Sequence, residues 1–440
     1  MTSIRDLVEA RLALAGTKDS ALHALISTLD EQALRDADRL DEATGPRGSL
    51  HGLPVTLKDN IDVAGVVSTA GSAHHSSAPA VTDATATRLL REAGAVVVAK
   101  NNMAEFAMGV VGRNDTFGDC RNAWDHARIS GGSSSGSAVA VAAGMCAASL
   151  GTDTGGSGRV PAAVNGIVGV RPTLGRVSNA GVFPVSSSFD VVSPMAVDVR
   201  TAAAVLAALD EWDPADPTSV NAERIPVESA LAGAAGELRV GVPANTFFDD
   251  VEPGVASVLR SALDALREVW GEPRRVAVPD VEIAQRQMLD MMYPEAAEVH
   301  EERVRLRPET LDPDVLRRIR LGHEVPPRRA QEARRWRGGF QRRVDDVFAE
   351  VDVIATPTIP VDVPRRDAVD LADSTRSIAR FTYVWSMYGG PSISVPCGRH
   401  PDSGMPVGIQ LTAARWQDHL ALRAALAVEE VSNFAGGAAT

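Results

Sequence analysis

The sequence predicts an α/β fold, and three observations carry that reading. Thr85 to Ala93 has the apolar spacing of a helix, Gly94 ends it, and the valine-rich Ala95 to Ala99 follows as a buried strand. Leu53 to Leu57 reads as a second short strand, closed by the turn-rich Lys58-Asp59-Asn60. Ala138 to Leu150 has no charge and no proline, so it reads as a buried helix. The Gly/Ser-rich segments on either side of it are then packed loops rather than flexible linkers.

The remaining elements follow in order. Residues 2–43 place Leu7, Leu12, Leu14, Leu22, Leu25, Ile26, Leu29, Leu34 and Leu40 at helical spacing, which predicts two or three surface helices over 1–45. Met103 to Met108 begins another helix, and residues 210–235 read as a surface connection. Residues 255–350 are mostly helical, and the crowding of Arg328, Arg329, Arg334, Arg335 and Arg337 reads as a solvated, salt-bridged face. In 351–430, Val351 to Ala355 and Ser392 to Val395 read as strands, and the tail Ala435 to Thr440 as disordered. A length of 440 residues suggests about three domains, although large single α/β enzymes reach this size.

Composition removes several function classes. A net charge of −13 and 4% aromatics argue against a nucleic-acid partner, which needs clustered cations or stacking rings. Cys120, Cys146 and Cys397 are too few and too odd for a disulfide framework. The N-terminus carries Arg5, Asp6, Glu9 and Arg11 before any apolar run, unlike a signal peptide, and the longest apolar stretch, Ala138 to Ala148, is too short to span a bilayer. A soluble cytoplasmic protein without a membrane partner is expected. There is no GxxxxGK[ST], GxGxxG or CxxC, His300-Glu301-Glu302 lacks the second histidine of HExxH, and His74-His75 reads as a loop feature. No metal and no cofactor is therefore expected.

The chain has three lysines, Lys18, Lys58 and Lys100, against 41 arginines (44 basic residues less three). Where lysine survives such a bias, arginine is a poor substitute, because only lysine loses its proton readily on burial. Two serine sites compete. Gly132-Ser133-Ser134-Ser135-Gly136 satisfies the GxSxG nucleophile elbow, but no strand pattern precedes it. Alternatively, Gly155-Gly156-Ser157-Gly158 sets a serine among glycines, where backbone N–H groups of Thr154, Gly155, Gly156 and Ser157 can form an oxyanion hole. Its base would be Lys58, desolvated at a strand end, with Ser133 relaying the proton.

Val55-Thr56-Leu57-Lys58-Asp59-Asn60, Gly131-Gly132-Ser133-Ser134-Ser135-Gly136-Ser137 and Gly151-Thr152-Asp153-Thr154-Gly155-Gly156-Ser157 resemble the amidase signature family, spacing included. Arg171-Pro172-Thr173, Thr356-Pro357-Thr358 and Ser394-Val395-Pro396 resemble its later signatures. The match is dense over 51–200, patchy over 351–415 and faint over 210–350. The resemblance implies one large α/β/α domain over 1–440 around a mixed, mostly parallel sheet. It also implies Ser157 as nucleophile, Ser133 as bridging serine after a cis peptide bond, and Lys58 as base. Asp153 and Arg159 would brace the nucleophile loop, and Lys100 would bind loop carbonyls near the site. Met108, Gly131, Gly132, Phe183, Tyr383 and Trp385 lie in segments that line the substrate pocket of similar enzymes. Their scarcity of charge points to a neutral or apolar substrate.

Gly158 departs from the bulky aliphatic residue most members carry after the nucleophile; Gly158-Arg159-Val160-Pro161 is similar to allophanate hydrolases. The implied activity is hydrolysis of linear amides, with carbamates (urethanes) or esters open to the same machinery. The partner would be a small-molecule amide or carbamate, with a homodimer left open. Two other classes compete: the glutaminase subunit of the tRNA-dependent amidotransferase, disfavoured by the absence of tyrosine in 322–340, and a catalytically dead scaffold, disfavoured by the intact triad positions.

Overall fold

The computed structural model describes residues 3–45, 47–233, 235–244, 249–432 and 434. The expected disordered tail, 435–440, lies outside them. The chain forms a single large α/β domain. Eleven strands are described: β1 Leu25–Thr28, β2 Pro54–Lys58, β3 Val96–Asn101, β4 Ala148–Asp153, β5 Val168–Arg171, β6 Val191–Ala196, β7 Val240–Pro243, β8 Arg274–Val276, β9 Val353–Pro357, β10 Ser392–Arg399 and β11 Pro406–Ala413. They make one sheet in the order β1-β3-β2-β4-β6-β5-β10-β11-β9-β7-β8. The sheet is mixed, as expected, but the weighting toward parallel pairs is corrected. Only β2/β3, β2/β4, β7/β8 and β7/β9 run parallel, against six antiparallel ladders among the described residues. Short connections make this possible, as in the turn that joins β10 to β11.

Every residue of β2, β3, β4, β5, β6, β9 and β11 is buried, which is why those strands read as apolar runs without alternation. Three local expectations fail for tertiary reasons. Leu25 to Thr28 is a strand, not a helix. The first helix, Ile4–Leu22, stops at His23 in a left-handed conformation, and Asp19 accepts the N–H groups of Ala24 and Leu25. The chain then pairs along β3. Met103 to Met108 holds one turn rather than a helix, since Phe106 sits at φ +49°. Ala138 to Leu150 is half helix and half strand. The helix Ser135–Ala142 ends before Gly144 (φ +76°), and the chain enters the sheet as β4. Both halves are buried, so neither carries charge.

Residues 255–350 are mostly helical, with Pro253–Trp270, Val281–Val299, Pro313–Glu324 and Pro327–Glu350 the longest pieces. Arg328, Arg329 and Arg334 make ion pairs with Glu332, Asp290 and Glu295. Arg337 instead turns inward to the carbonyls of Met387 and Ser188. Among the described residues no helix is long and apolar enough to cross a membrane.

Candidate active site

The site lies at the carboxyl ends of two adjacent parallel strands, where ligands gather in open α/β sheets. β2 delivers Lys58 and β4 delivers Thr152 and Asp153. Lys58 is wholly buried, and its Nζ donates to Ser133 Oγ and to Thr152 Oγ1, each at 2.7 Å. No carboxylate among the described residues lies within ion-pair distance of that nitrogen. Burial lowers its pKa to about 7, against the opposing attraction of Asp190 and Asp153. A drop from 10.5 to about 7 disfavours the ammonium by roughly 5 kcal/mol.

Ser133 follows a cis Gly132–Ser133 peptide bond. The neighbouring Ser134 N–H donates to the Ser157 carbonyl (3.2 Å), and Ser134 Oγ bonds both backbone groups of Thr152. The serine loop is thus fastened to the Ser157 loop and to β4. Ser157 is half-buried and lines a small cavity of about 30 Å³.

A buried charge network holds the 153–159 loop. Asp153 takes both forks of Arg159 (2.9 Å each), Arg171 Nη1 at 3.1 Å, and the N–H groups of Gly156 and Gly158. Burial alone would raise the Asp153 pKa; the guanidiniums of Arg159 and Arg171 outweigh it and drive it well below the carboxylate range. Arg159 reaches on to Gln410 on β11 and Ser386, so the loop is braced against the far side of the sheet.

The four expected oxyanion donors separate. Among the described residues nothing accepts the N–H groups of Thr154, Gly155 or Ser157, whereas Gly156 N–H is taken by Asp153 Oδ1 at 2.9 Å. Gly156 is therefore withdrawn from the set. The helix Ser374–Tyr388 covers this loop closely. A Cβ on Gly155 would lie 2.6 Å from the Tyr383 ring, and one on Gly156 2.2 Å from Thr382 Oγ1.

Of the expected pocket residues, Met108 and Tyr383 line the cavity. Trp385 does not; two positions further along the helix it points away, fully buried, with Nε1 donating to Thr356 Oγ1 on β9. Phe183 lies outside the cavity in a ring cluster with His75, Phe106 and His300. Gly131 and Gly132 serve close packing: a Cβ there would meet Pro161 at 2.6 Å and the Gly109 carbonyl at 2.8 Å. Lys100 does not bind carbonyls. It pairs with Asp59 Oδ1 at 2.9 Å and donates to Ser68 Oγ at 3.0 Å.

Sequence reasoning missed other parts of the wall, among them Val110, Val185, Met292, Tyr293, Thr375 and above all Arg318. Arg318 is buried, with Nε on Asp314 (2.8 Å) and Nη1 on Thr375 (2.7 Å). It also lines an adjoining chamber of about 230 Å³. A signal existed. Val315, Arg318, Ile319 and Gly322 form the buried stripe of their helix, and a charge in such a stripe calls for a reason. Arg318 also corrects the expectation of an uncharged pocket: the wall carries a guanidinium, ion-paired to Asp314. Gly158 has a steric cause, since a Cβ there would stand 2.0 Å from Ser193 Oγ on β6.

The family model described as Amidase matches residues 6–422. The chain is 39% identical to a glutamyl-tRNA(Gln) amidotransferase subunit from Nitratidesulfovibrio vulgaris (strain DP4), covering 92% of this chain and 89% of that protein. It is 34% identical to 1-carboxybiuret hydrolase subunit AtzE of Pseudomonas sp. (strain ADP), covering 98% and 95%. The solved structure of 6-aminohexanoate cyclic dimer hydrolase superposes with a TM-score of 0.88 at 26% identity, over 98% of this chain and 94% of that one.

Proposed function

The chain belongs to the amidase family, enzymes that act on C–N bonds, and on that premise we propose that it hydrolyses small linear amides through Ser157, Ser133 and Lys58. The observation that carries this is Lys58: a buried amine with a pKa lowered to about 7, held 2.7 Å from Ser133 Oγ. The neutral amine takes the Ser133 proton as Ser133 takes that of Ser157, and Ser157 Oγ attacks the acyl carbon. The N–H groups of Thr154, Gly155 and Ser157 receive the oxyanion. The proton returns through Ser133 to the amide nitrogen, the C–N bond breaks and the amine leaves. Water, deprotonated by the same relay, cleaves the acyl-enzyme to the carboxylate. Carbamates and esters pass through an equivalent tetrahedral intermediate.

The cavity of about 30 Å³ suits a short acyl group, and Arg318 in its wall suits one that ends in a carboxylate or carbonyl oxygen. That same guanidinium favours a second reading, a glutaminase component, since glutamine is an amide bearing a carboxylate. Hydrolysis of glutamine, allophanate, aliphatic amides, anilides and aryl carbamates by the purified chain, with Ser157→Ala as blank, separates the two. Turnover of several amides without a partner is the expected result. Activity on glutamine alone, or only with added partner subunits, would favour the second reading. Turnover unaffected by Ser157→Ala would end both.

A further inference from the structure

Asp190 has been given no part in the chemistry, yet its setting is unusual. It stands immediately before β6, buried, and no basic side chain among the described residues lies within ion-pair distance of it. Its Oδ1 accepts the Thr154 hydroxyl at 2.6 Å. Its Oδ2 accepts the N–H groups of Val185 and Ser186, each at 2.8 Å. Thr154 and Val185 both line the cavity beside Ser157, on separate segments of chain. One carboxylate therefore joins two walls of the pocket.

The geometry points to Asp190 as a positioning residue: it clamps the nucleophile loop to the 183–188 loop and supplies the buried negative charge that Lys58 faces as its ammonium forms. Three charged neighbours bear on this. Asp153 also attracts Lys58, but Asp153 is already neutralised by Arg159 and Arg171. Asp190 accepts hydrogen bonds and makes no ion pair among the described residues; Arg171, already paired to Asp153, attracts it only from a longer distance, so it is the less compensated of the two. Of the two, it also attracts Lys58 the more strongly, while burial raises its own pKa. During each turnover Lys58 gains and loses a proton. A fixed anion nearby strengthens the base and steadies the charge that appears on it. A carboxylate already paired to two guanidiniums does so far less.

This inference rests on Lys58 being the base, so Lys58→Arg is measured alongside. Asp190→Asn keeps the shape and removes the charge. The expected result is a kcat at least about 10-fold lower, with the acid limb of kcat/KM moved down by about half a pH unit or more, because Lys58 loses its attraction for a proton. A merely structural role lowers activity without moving the limb, and an unmoved limb overturns the inference. If Asp190→Asn does not fold, the hydroxyl arm decides. Thr154→Val should lower kcat several-fold and Thr154→Ser should restore it; wild-type kcat in Thr154→Val overturns the clamp. Near-normal rates in Lys58→Arg would remove the catalytic premise itself, whereas loss there with an unmoved limb in Asp190→Asn removes only the role of Asp190.

Discussion

Lys58 and Lys100 stand on neighbouring parallel strands, one residue out of register, and both are completely buried. Their surroundings differ in kind. Lys100 meets the Asp59 carboxylate at 2.9 Å, and Asp59 in turn accepts the backbone N–H and hydroxyl of Thr69. Among the described residues Lys58 Nζ bonds two hydroxyls and no carboxylate. A buried charge is tolerated when it is paired and hydrogen-bonded; a buried amine with neutral partners gives up its proton instead. Burial alone therefore does not make a base. What distinguishes the two is whether a carboxylate touches the nitrogen.

The strongest challenge to this contrast is Lys58→Arg. Arginine stays protonated, so kcat/KM should fall by about a thousandfold, measured on any amide that the wild type hydrolyses. Near-normal rates would mean that Lys58 is not the base. The pH profile sharpens the point. In the free enzyme the working form is the neutral amine, so kcat/KM should rise from acid through a midpoint near pH 7 and then level. A rise centred near 10 would show that burial does not depress Lys58.

Lys100→Met tests the other side. It strands a buried carboxylate, and loss of one partner of such a pair costs about 3–5 kcal/mol, read as a lower denaturation midpoint. The acid limb near pH 7 should survive in whatever protein remains folded; a limb that disappears would place Lys100 in the proton path. Trp385→Phe is the smallest change. Removing one hydrogen bond to Thr356 and part of a buried ring should cost about 2 kcal/mol of stability and leave KM unaltered. A shifted KM would return Trp385 to the substrate pocket.

These residues also show how far the sequence could be read. The serine loops and Lys58 were legible because the contacts that matter are carried by motifs of fixed spacing. Asp190 and Arg318 went unread because, beside their local partners, each reaches the pocket through a contact 36 or 57 residues away that only packing creates. The pairing of Tyr383 with Trp385 as pocket residues was avoidable, since residues two apart on a helix point about 200° apart. β1 was hidden because a four-residue edge strand rich in leucine and isoleucine matches helical spacing as well as it matches a strand. Gly156 looked like an oxyanion donor by position alone, and only the direction of the Asp153 carboxylate excludes it.

The contact between position 158 and Ser193 also constrains how this chain can diverge. A side chain at 158 would collide with Ser193 Oγ at 2.0 Å and Ser193 Cβ at 2.8 Å, and that hydroxyl is itself committed to the Val170 carbonyl. Removing the oxygen alone leaves the second collision in place. A side chain at 158 therefore requires Ser193 to change or β6 to move. Packing at position 158 is thus set by a residue 35 positions away on β6, so a substitution at one of the two positions changes what the other can accept.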